Sequence, residues 1–300
     1  MIPDYKLSNG VHIPAQGLGT YTLKDEVMTS SIKVAYQSGC TLIDTASAYD
    51  NEHYIGHSIK QLEKEGVLQR KDLFIQTKVG DKIDKKGRPI GYYFYNSPSC
   101  PDHDTERVVN EQVESSLKLL QTDYLDLVMI HWPYYDVLNE IWQALEKLYD
   151  QKIIRSIGVS NCKKRHIERI MITAKVKPMV NQINISPINT HVEDYAFCME
   201  NDIRLQAYSP LYPLRNETFK VEQKDLYSLS EKYGKSMSQI LLRWYYQKGI
   251  IPVPKSATPS RVKQNYDIYD FEIEEQDMER ISHANFDFQY LTESLFCPGY

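Results

Sequence analysis

The chain lacks most of the features that would classify it at a glance, and each absence removes a possibility. No apolar run approaches the ~18 residues that suggest a membrane span. The amino terminus, Met1-Ile2-Pro3-Asp4-Tyr5-Lys6, has none of the charged-then-apolar layout of a signal peptide. Cys40, Cys100, Cys162, Cys198 and Cys297 are odd in number, widely scattered and free of any CxxC pair. That excludes a disulfide framework or a zinc site and makes the reducing cytoplasm the expected location. There is no basic excess: the formal charge is −5 and the pI about 5.9. A whole-surface attraction to nucleic acid or to an anionic membrane is therefore not expected, and any phosphate-bearing ligand must find a local basic cluster.

Two nucleotide-binding loops are also missing. Gly17-Leu18-Gly19-Thr20 gives G-x-G and stops short of a dinucleotide fingerprint. Gly234-Lys235-Ser236 mimics the end of a P-loop, but Leu229 stands where the leading glycine belongs. His53 and His57 have the i, i+4 spacing of metal ligands on a helix, yet no HExxH pattern or third ligand accompanies them, so no metal is expected.

What is present is an ordinary globular composition, 42% hydrophobic and 25% charged over 300 residues. The opening segment reads as a β-hairpin about the turn pair Asn9-Gly10. Strand candidates then end near Thr20, Thr45, Lys78, His131, Val159, Asn184, Tyr208 and Pro254. Helical spacing links Val109, Val113, Leu117 and Leu120, and again Val137, Ile141, Leu145 and Leu148. Capping boxes are expected at Thr190 with Glu193 and at Ser236 with Gln239. Eight strands, each followed by one helix, predict an α/β fold: a (β/α)8 TIM barrel with an N-terminal β-hairpin and long C-terminal-face loops, one domain over residues 1–300. An open doubly wound sheet is the rival, and it would want the glycine-rich loop that is missing.

Four residues sit at the carboxyl ends of separate apolar runs. Asp44 follows Leu42-Ile43, Tyr49 lies five residues on, Lys78 closes Leu73-Phe74-Ile75-Gln76-Thr77, and His131 closes Leu125 to Ile130. Taken singly, each has a bland reading: packing for Tyr49, a solvated lysine, a core histidine, a turn aspartate. Together at one end of a parallel barrel they form a pocket where a phenol passes a proton to a carbonyl oxygen. An ammonium ~4 Å from the phenol contributes roughly 4 kcal/mol at an effective dielectric of about 20, so Lys78 is expected to lower the Tyr49 pKa.

The runs Gly17-Leu18-Gly19-Thr20, Asp44-Thr45-Ala46-Ser47-Ala48-Tyr49, Thr77-Lys78, Ile130-His131-Trp132-Pro133, Gly158-Val159-Ser160-Asn161 and Pro254-Lys255-Ser256 resemble the aldo-keto reductases in order and spacing. The resemblance covers about residues 5 to 271. It implies NADPH-dependent reduction of an aldehyde or ketone, NADH being possible as well, with Asp44, Tyr49, Lys78 and His131 as catalytic residues and Tyr49 as proton donor. It places Gly19, Thr20, Tyr21, Asp44, Ser160, Asn161, Gln182, Tyr208, Ser209, Leu211, Lys255, Ser256, Arg261, Gln264 and Asn265 at the cofactor. Among these, Ser160, Asn161 and Gln182 meet the nicotinamide carboxamide, and Tyr208 stacks on its ring. Lys255, Ser256 and Arg261 meet the 2′-phosphate at a helix opened by Thr258-Pro259, and Gln264 and Asn265 face the adenine.

Tyr21, Tyr49, His131 and Trp132 would line the substrate pocket. Tyr92-Tyr93-Phe94-Tyr95 in the long 81–104 loop and the Phe288–Phe296 tail are expected to wall it. The partner implied is a small-molecule carbonyl, with no nucleic acid, no membrane and a monomeric state. One departure from the family is Asn181-Gln182-Ile183-Asn184-Ile185-Ser186-Pro187, where an acidic residue, an aromatic and a histidine usually precede the proline. A second reading is a barrel that senses nicotinamide redox state for a partner, with incidental turnover. Fold does not separate the two, whereas a carbonyl substrate panel does.

Overall fold

The computed structural model describes residues 2–83, 89–92, 104–215 and 220–288. The chain opens with the antiparallel pair β1 (Asp4–Lys6) and β2 (His12–Pro14), in which Tyr5 lies opposite Ile13. The turn differs from a two-residue Asn-Gly connection. Leu7 N–H donates to Val11 O and Gly10 N–H to Leu7 O, each at 2.8 Å, with Gly10 at φ +87°, so Ser8-Asn9-Gly10 form a three-residue loop. Asn9 braces the turn and ties it to the barrel: its Oδ1 accepts the Val11 N–H at 3.1 Å and its Nδ2 donates to Arg155 O at 2.9 Å.

Eight parallel strands follow: β3 (Gly17–Gly19), β4 (Leu42–Asp44), β5 (Phe74–Val79) and, after an antiparallel ribbon of β6 (Asp81–Ile83) and β7 (Pro89–Tyr92), β8 (Leu127–Ile130), β9 (Ile157–Ser160), β10 (Val180–Ile183), β11 (Arg204–Tyr208) and β12 (Ile251–Val253). Each barrel strand pairs with the next. The ring closes where Gly19 N–H donates to Pro254 O at 3.0 Å beside β12. Covered on both faces, the strands are runs of buried residues rather than alternations. The segment read as a 24-residue loop thus begins as a paired ribbon; residues 93–103 lie outside the described residues, as does the tail beyond Phe288.

The outer layer is α1 (Asp25–Gln37), α2 (Glu52–Lys64), α3 (Thr105–Leu120), α4 (Leu138–Asp150), α5 (Lys164–Met171), α6 (Val192–Glu200), α7 (Lys220–Tyr233), α8 (Met237–Gln247), α9 (Pro259–Tyr266) and α10 (Glu275–Ser282). The periodic positions do what their spacing requires: Val109, Val113 and Leu120 of α3, and Ile141, Leu145 and Leu148 of α4, are buried. The one-helix-per-strand pattern fails between β11 and β12, where both α7 and α8 intervene.

The Ser236–Gln239 capping box closes α8 as expected. The Thr190–Glu193 box does not form. Helix α6 starts later, with His191 as its N-cap in a left-handed conformation, φ +46°. Asn285 Oδ1 takes the Thr190 N–H instead, at 3.0 Å. No helix among the described residues is long and apolar enough to cross a membrane.

Candidate active site

The carboxyl ends of β4, β5 and β8 bring the four residues singled out in the sequence to one place. Asp44 ends β4, and its Oδ1 accepts from Lys78 Nζ at 2.7 Å. Lys78 also donates to Thr45 O at 2.9 Å and is fully buried. Tyr49 ends a 3-10 turn, Ser47–Tyr49, that leads out of β4. Its ring lies 5.2 Å from Lys78 Nζ and 6.0 Å from the His131 ring, centroid to centroid in the second case. The turn is tied down by Ser47 Oγ donating to Lys78 O at 3.0 Å, and by Asn51, whose side chain bridges Thr45 Oγ1 (2.9 Å) and Thr20 O (2.8 Å).

The expected lowering of the Tyr49 pKa is overturned. Burial pushes the phenol well above the usual tyrosine range, and the negative charges of Asp44 and Asp81 push it further, with smaller contributions from Tyr208 and Tyr21. The reason is geometric: the Lys78 ammonium is aimed at Asp44 and Thr45, so its charge is largely matched before it reaches the phenol.

Asp44 is held by more than Lys78. Its Oδ1 also accepts from Gln76 Nε2 at 2.7 Å and Gln182 Nε2 at 2.9 Å, and both glutamines donate to Gln206 Oε1 at 2.8 Å. Gln206 Nε2 returns a bond to Gln76 Oε1 at 2.9 Å. All three amides are buried, forming a polar layer across the barrel beneath the lysine. Sequence reading passed over Gln76 inside an apparently apolar run, although the i, i+2 relation to Lys78 puts both on one face of β5.

Asp81 was missed as well. Its Oδ2 is hydrogen-bonded to His131 Nδ1, and its Oδ1 accepts from Tyr134 OH at 2.9 Å. The signal available was a carboxylate three positions beyond Lys78, at the mouth of the same strand.

The remaining predicted residues lie around this centre. Thr20 is buried and gives both its N–H (3.1 Å) and its Oγ1–H (2.8 Å) to Asp44 O, beside Gly19. Tyr21 is 61% exposed, with its ring 5.0 Å from that of Tyr49. Trp132 is buried at 5% exposure, so it can offer a pocket little more than an edge. Ser160 Oγ donates to Gln182 O at 2.8 Å, and Asn161 Nδ2 donates to His131 O at 3.0 Å. Both amide protons of Gln182 are committed to Asp44 and Gln206, so what Gln182 can give a ligand is its carbonyl oxygen.

Tyr208, half-buried, ends β11; Ser209 follows at φ +48°, and Leu211 precedes a 3-10 turn. Lys255 and Ser256 follow β12, with Arg261 and Gln264 exposed on α9. Thr258 holds the N-cap position of α9, but its side chain makes no capping bond; Ser256 Oγ accepts the Thr258 N–H at 3.2 Å instead. Asn265 is buried, and its backbone carbonyl accepts from Gln16 Nε2 at 2.8 Å.

Among the described residues Lys255 and Arg261 have no acidic partner, whereas Lys232, Lys235 and Arg280 each have two. Two unmatched cations at a helix amino terminus suit a phosphate. No cluster of metal-ligating side chains occurs among the described residues. A groove of about 610 Å³ lies elsewhere, between the starts of α5 and α6. Its mixed lining of Lys163, Lys164 and Arg165 against Glu168, Glu193 and Asp194 contains none of the predicted site residues.

Comparison with known proteins gives one consistent result. Residues 15–285 match the model of the Aldo/keto reductase family. The chain is similar to the glyoxal reductase of Bacillus subtilis, 38% identical over 94% of this chain and 92% of that one. It is also similar to a methylglyoxal reductase of Escherichia coli, 32% identical over 92% and 91%. Among solved structures, a Bombyx mori aldo-keto reductase in complex with NADP superposes with a TM-score of 0.84 at 29% identity, covering 99% of this chain and 98% of that one.

Proposed function

The chain belongs to the aldo/keto reductase family, and on that premise we propose that it reduces a small aldehyde or ketone to the alcohol, with NADPH as reductant and Tyr49 as proton donor. The observation that carries this reading is the convergence of Asp44, Tyr49, Lys78 and His131 at one end of the barrel. Gln182, Ser160, Asn161 and Tyr208 would hold the nicotinamide, Ser209 and Leu211 the pyrophosphate, and Lys255, Ser256 and Arg261 the 2′-phosphate. The chemistry such a cofactor supplies is a hydride for the carbonyl carbon.

The protein's own residues supply the proton and the field. A phenol whose pKa is raised stays protonated across the neutral range, which is the resting state a donor in the reductive direction needs. An alkoxide is a much stronger base than a phenolate, so the proton still moves downhill as charge develops on the substrate oxygen. Lys78 then faces the phenolate it leaves behind, and His131 meets the same oxygen from the other side, so two preplaced groups share the charge. The names of the relatives favour short dicarbonyls such as glyoxal and methylglyoxal as first substrates to test.

The test is loss of NADPH absorbance over a panel of aldehydes, ketones and dicarbonyls, with Tyr49→Phe alongside the native chain. General acids contribute ~10² to 10⁴-fold, and kcat should fall by that much while NADPH affinity, read by fluorescence titration, stays within about twofold. Slow, unsaturable turnover by the native chain with every compound would defeat the enzyme reading. Retention of more than about a tenth of turnover in the variant would defeat only the assignment of Tyr49.

A further inference from the structure

The three buried glutamines of the barrel layer fit together in one orientation. Strand pairing sets Asp44 beside Gln76 across β4 and β5, and Gln182 beside Gln206 across β10 and β11. The two pairs then meet across the barrel. Lys78 Nζ is paired with Asp44 Oδ1 at 2.7 Å, which makes that oxygen an acceptor for whatever else touches it. Gln76 touches it at 2.7 Å and Gln182 at 2.9 Å, so both present Nε2 there. The same two nitrogens reach a single atom of Gln206 at 2.8 Å each, and that atom has to be the oxygen. Gln206 Nε2 then falls on Gln76 Oε1 at 2.9 Å. Turning any one amide over would set oxygen against oxygen or nitrogen against nitrogen. The polarity of the whole layer follows from the lysine.

One group is left over. Both hydrogens of Gln182 Nε2 are spent, and its Oε1 has no partner among the described residues, although Gln182 is only 1% exposed. A nearly buried acceptor one residue from the carboxyl end of β10 can meet the carboxamide of a nicotinamide only through the NH2 group. We propose that Gln206, itself fixed by Gln76, is a positioning residue. It locks the Gln182 amide with its oxygen toward the ligand, so that the site selects a pyridine ring whose 3-substituent donates an N–H. This rests on the reading of the pocket as a nicotinamide site and deepens it. Without Gln206, Gln182 keeps only its bond to Asp44 and is free to swing its second hydrogen toward the ligand. It would then offer a donor as readily as an acceptor, and the selection would be lost.

The probes are NADP⁺ and its 3-acetylpyridine analogue, in which a methyl group replaces the NH2 while the carbonyl is kept. Quenching of tryptophan fluorescence gives both dissociation constants without turnover. Because an unpaired acceptor in a buried site is costly, the native chain should bind the analogue about 10- to 100-fold more weakly. Gln182→Leu should erase most of that difference; a difference that persists there belongs to the ring and overturns the proposal. Gln206→Met fills similar space with no hydrogen-bonding amide, and the ratio should fall about threefold or more. The preference for NADP⁺ over NAD⁺, proposed to arise at Lys255 and Arg261, should stay as it is. General loosening of the barrel would weaken both dinucleotides alike and leave the ratio unchanged, which would overturn the assignment of Gln206.

A second readout uses the native chain without cofactor, so the proposal stays testable if a variant does not fold. The Gln182 side-chain NH2, assigned through the bonds of its own side chain, has both hydrogens engaged. It should exchange with deuterium far more slowly than an exposed glutamine amide. Exchange at the exposed rate overturns the proposal even if the protein proves an efficient reductase. A protected amide and a strong preference for NADP⁺ over the analogue, in a protein that reduces no carbonyl, would support the lock and leave the reductase reading to fail alone.

Discussion

Two buried carboxylates at opposite ends of the barrel are held in different ways. Asp126 lies just before β8, at the amino-terminal end. Its Oδ2 accepts from Arg70 Nη2 and Ile75 N–H, both at 2.9 Å, and its Oδ1 from Arg155 Nη1 at 2.6 Å. Arg70 in turn donates to Thr122 Oγ1, Leu73 O and Tyr124 O, and stacks on the Tyr124 ring at 4.1 Å. Both oxygens of Asp126 are paired there, and the guanidinium of Arg70 is itself held by the surrounding backbone. Asp44, at the carboxyl-terminal end, crowds Lys78, Gln76 and Gln182 onto the single oxygen Oδ1. Its lysine also lies 5.2 Å from a phenol ring, and one of its glutamines, Gln182, is among the residues proposed to hold the nicotinamide. The first arrangement is saturated and serves the fold; the second is shared and serves a site, as the two ends of this architecture lead one to expect.

The widest separation between the two should come from removing the cation at each end. Arg70→Met takes one of two cations from buried Asp126 and the donor from Leu73 O, Tyr124 O and Thr122 Oγ1, so it should cost about 3–5 kcal/mol of stability. The fraction that stays folded should keep a normal kcat. Lys78→Met takes from buried Asp44 the cation it pairs with and should cost a similar ~3–5 kcal/mol, while turnover falls ~10² to 10³-fold through loss of a preplaced charge. Denaturant melts and steady-state kinetics on both variants decide it. Equal losses of turnover would erase the distinction.

A smaller effect is expected from the glutamine layer. Gln76→Leu removes one donor from Asp44 and the acceptor of Gln206 Nε2, which should cost about 1–3 kcal/mol. It also leaves more of the Asp44 charge unmatched beneath Tyr49. Because that charge raises the phenol, the ionisation of Tyr49 should move further from neutrality, visible in a pH titration of tyrosinate absorbance against Tyr49→Phe. A loss of stability with an unaltered tyrosine titration would make the layer a packing device only.

The smallest expected effect concerns Glu52, behind Lys78. Burial raises its pKa from 4.5 to about 7, against the lowering influence of bonds from Thr77 and Ser116 and of the Lys78 charge. A carboxyl that binds its proton more tightly when folded favours the fold most below pH 4.5, and that contribution is lost as pH rises toward 7. Glu52→Gln cannot ionise, and its amide can still meet both hydroxyls. The melting temperature of the native chain should therefore fall relative to the variant's between those two pH values. Parallel curves would show that Glu52 stays ionised in the fold.

Local features made the barrel readable from the chain. Strands buried on both faces must be apolar runs, and the ends of eight such runs mark the strands with errors of a residue or so. The same rule exposed the four central residues, because a charged, imidazole or phenolic group closing an apolar run is conspicuous, and the motifs around them carried the family. Where a boundary depended on partners distant in sequence, the reading failed. Thr190 looked like a cap, but Asn285 takes its N–H from a distance of 95 residues along the chain.

The sequence alone therefore determined the strand order, the barrel and the identity of the groups at its carboxyl-terminal end, since each follows from local patterning and from the chirality of parallel crossovers. The tertiary structure alone decided how those groups are charged and held. Lys78 is turned to Asp44 and Thr45, Tyr49 is raised by burial, Gln76 and Gln206 meet across the barrel, and Asp81 closes on His131. Residues 76 and 206 are 130 positions apart, and residues 81 and 131 are 50 apart. A hydrogen bond needs donor and acceptor within about 3 Å, and no local pattern in a chain specifies a distance between points so far separated along it.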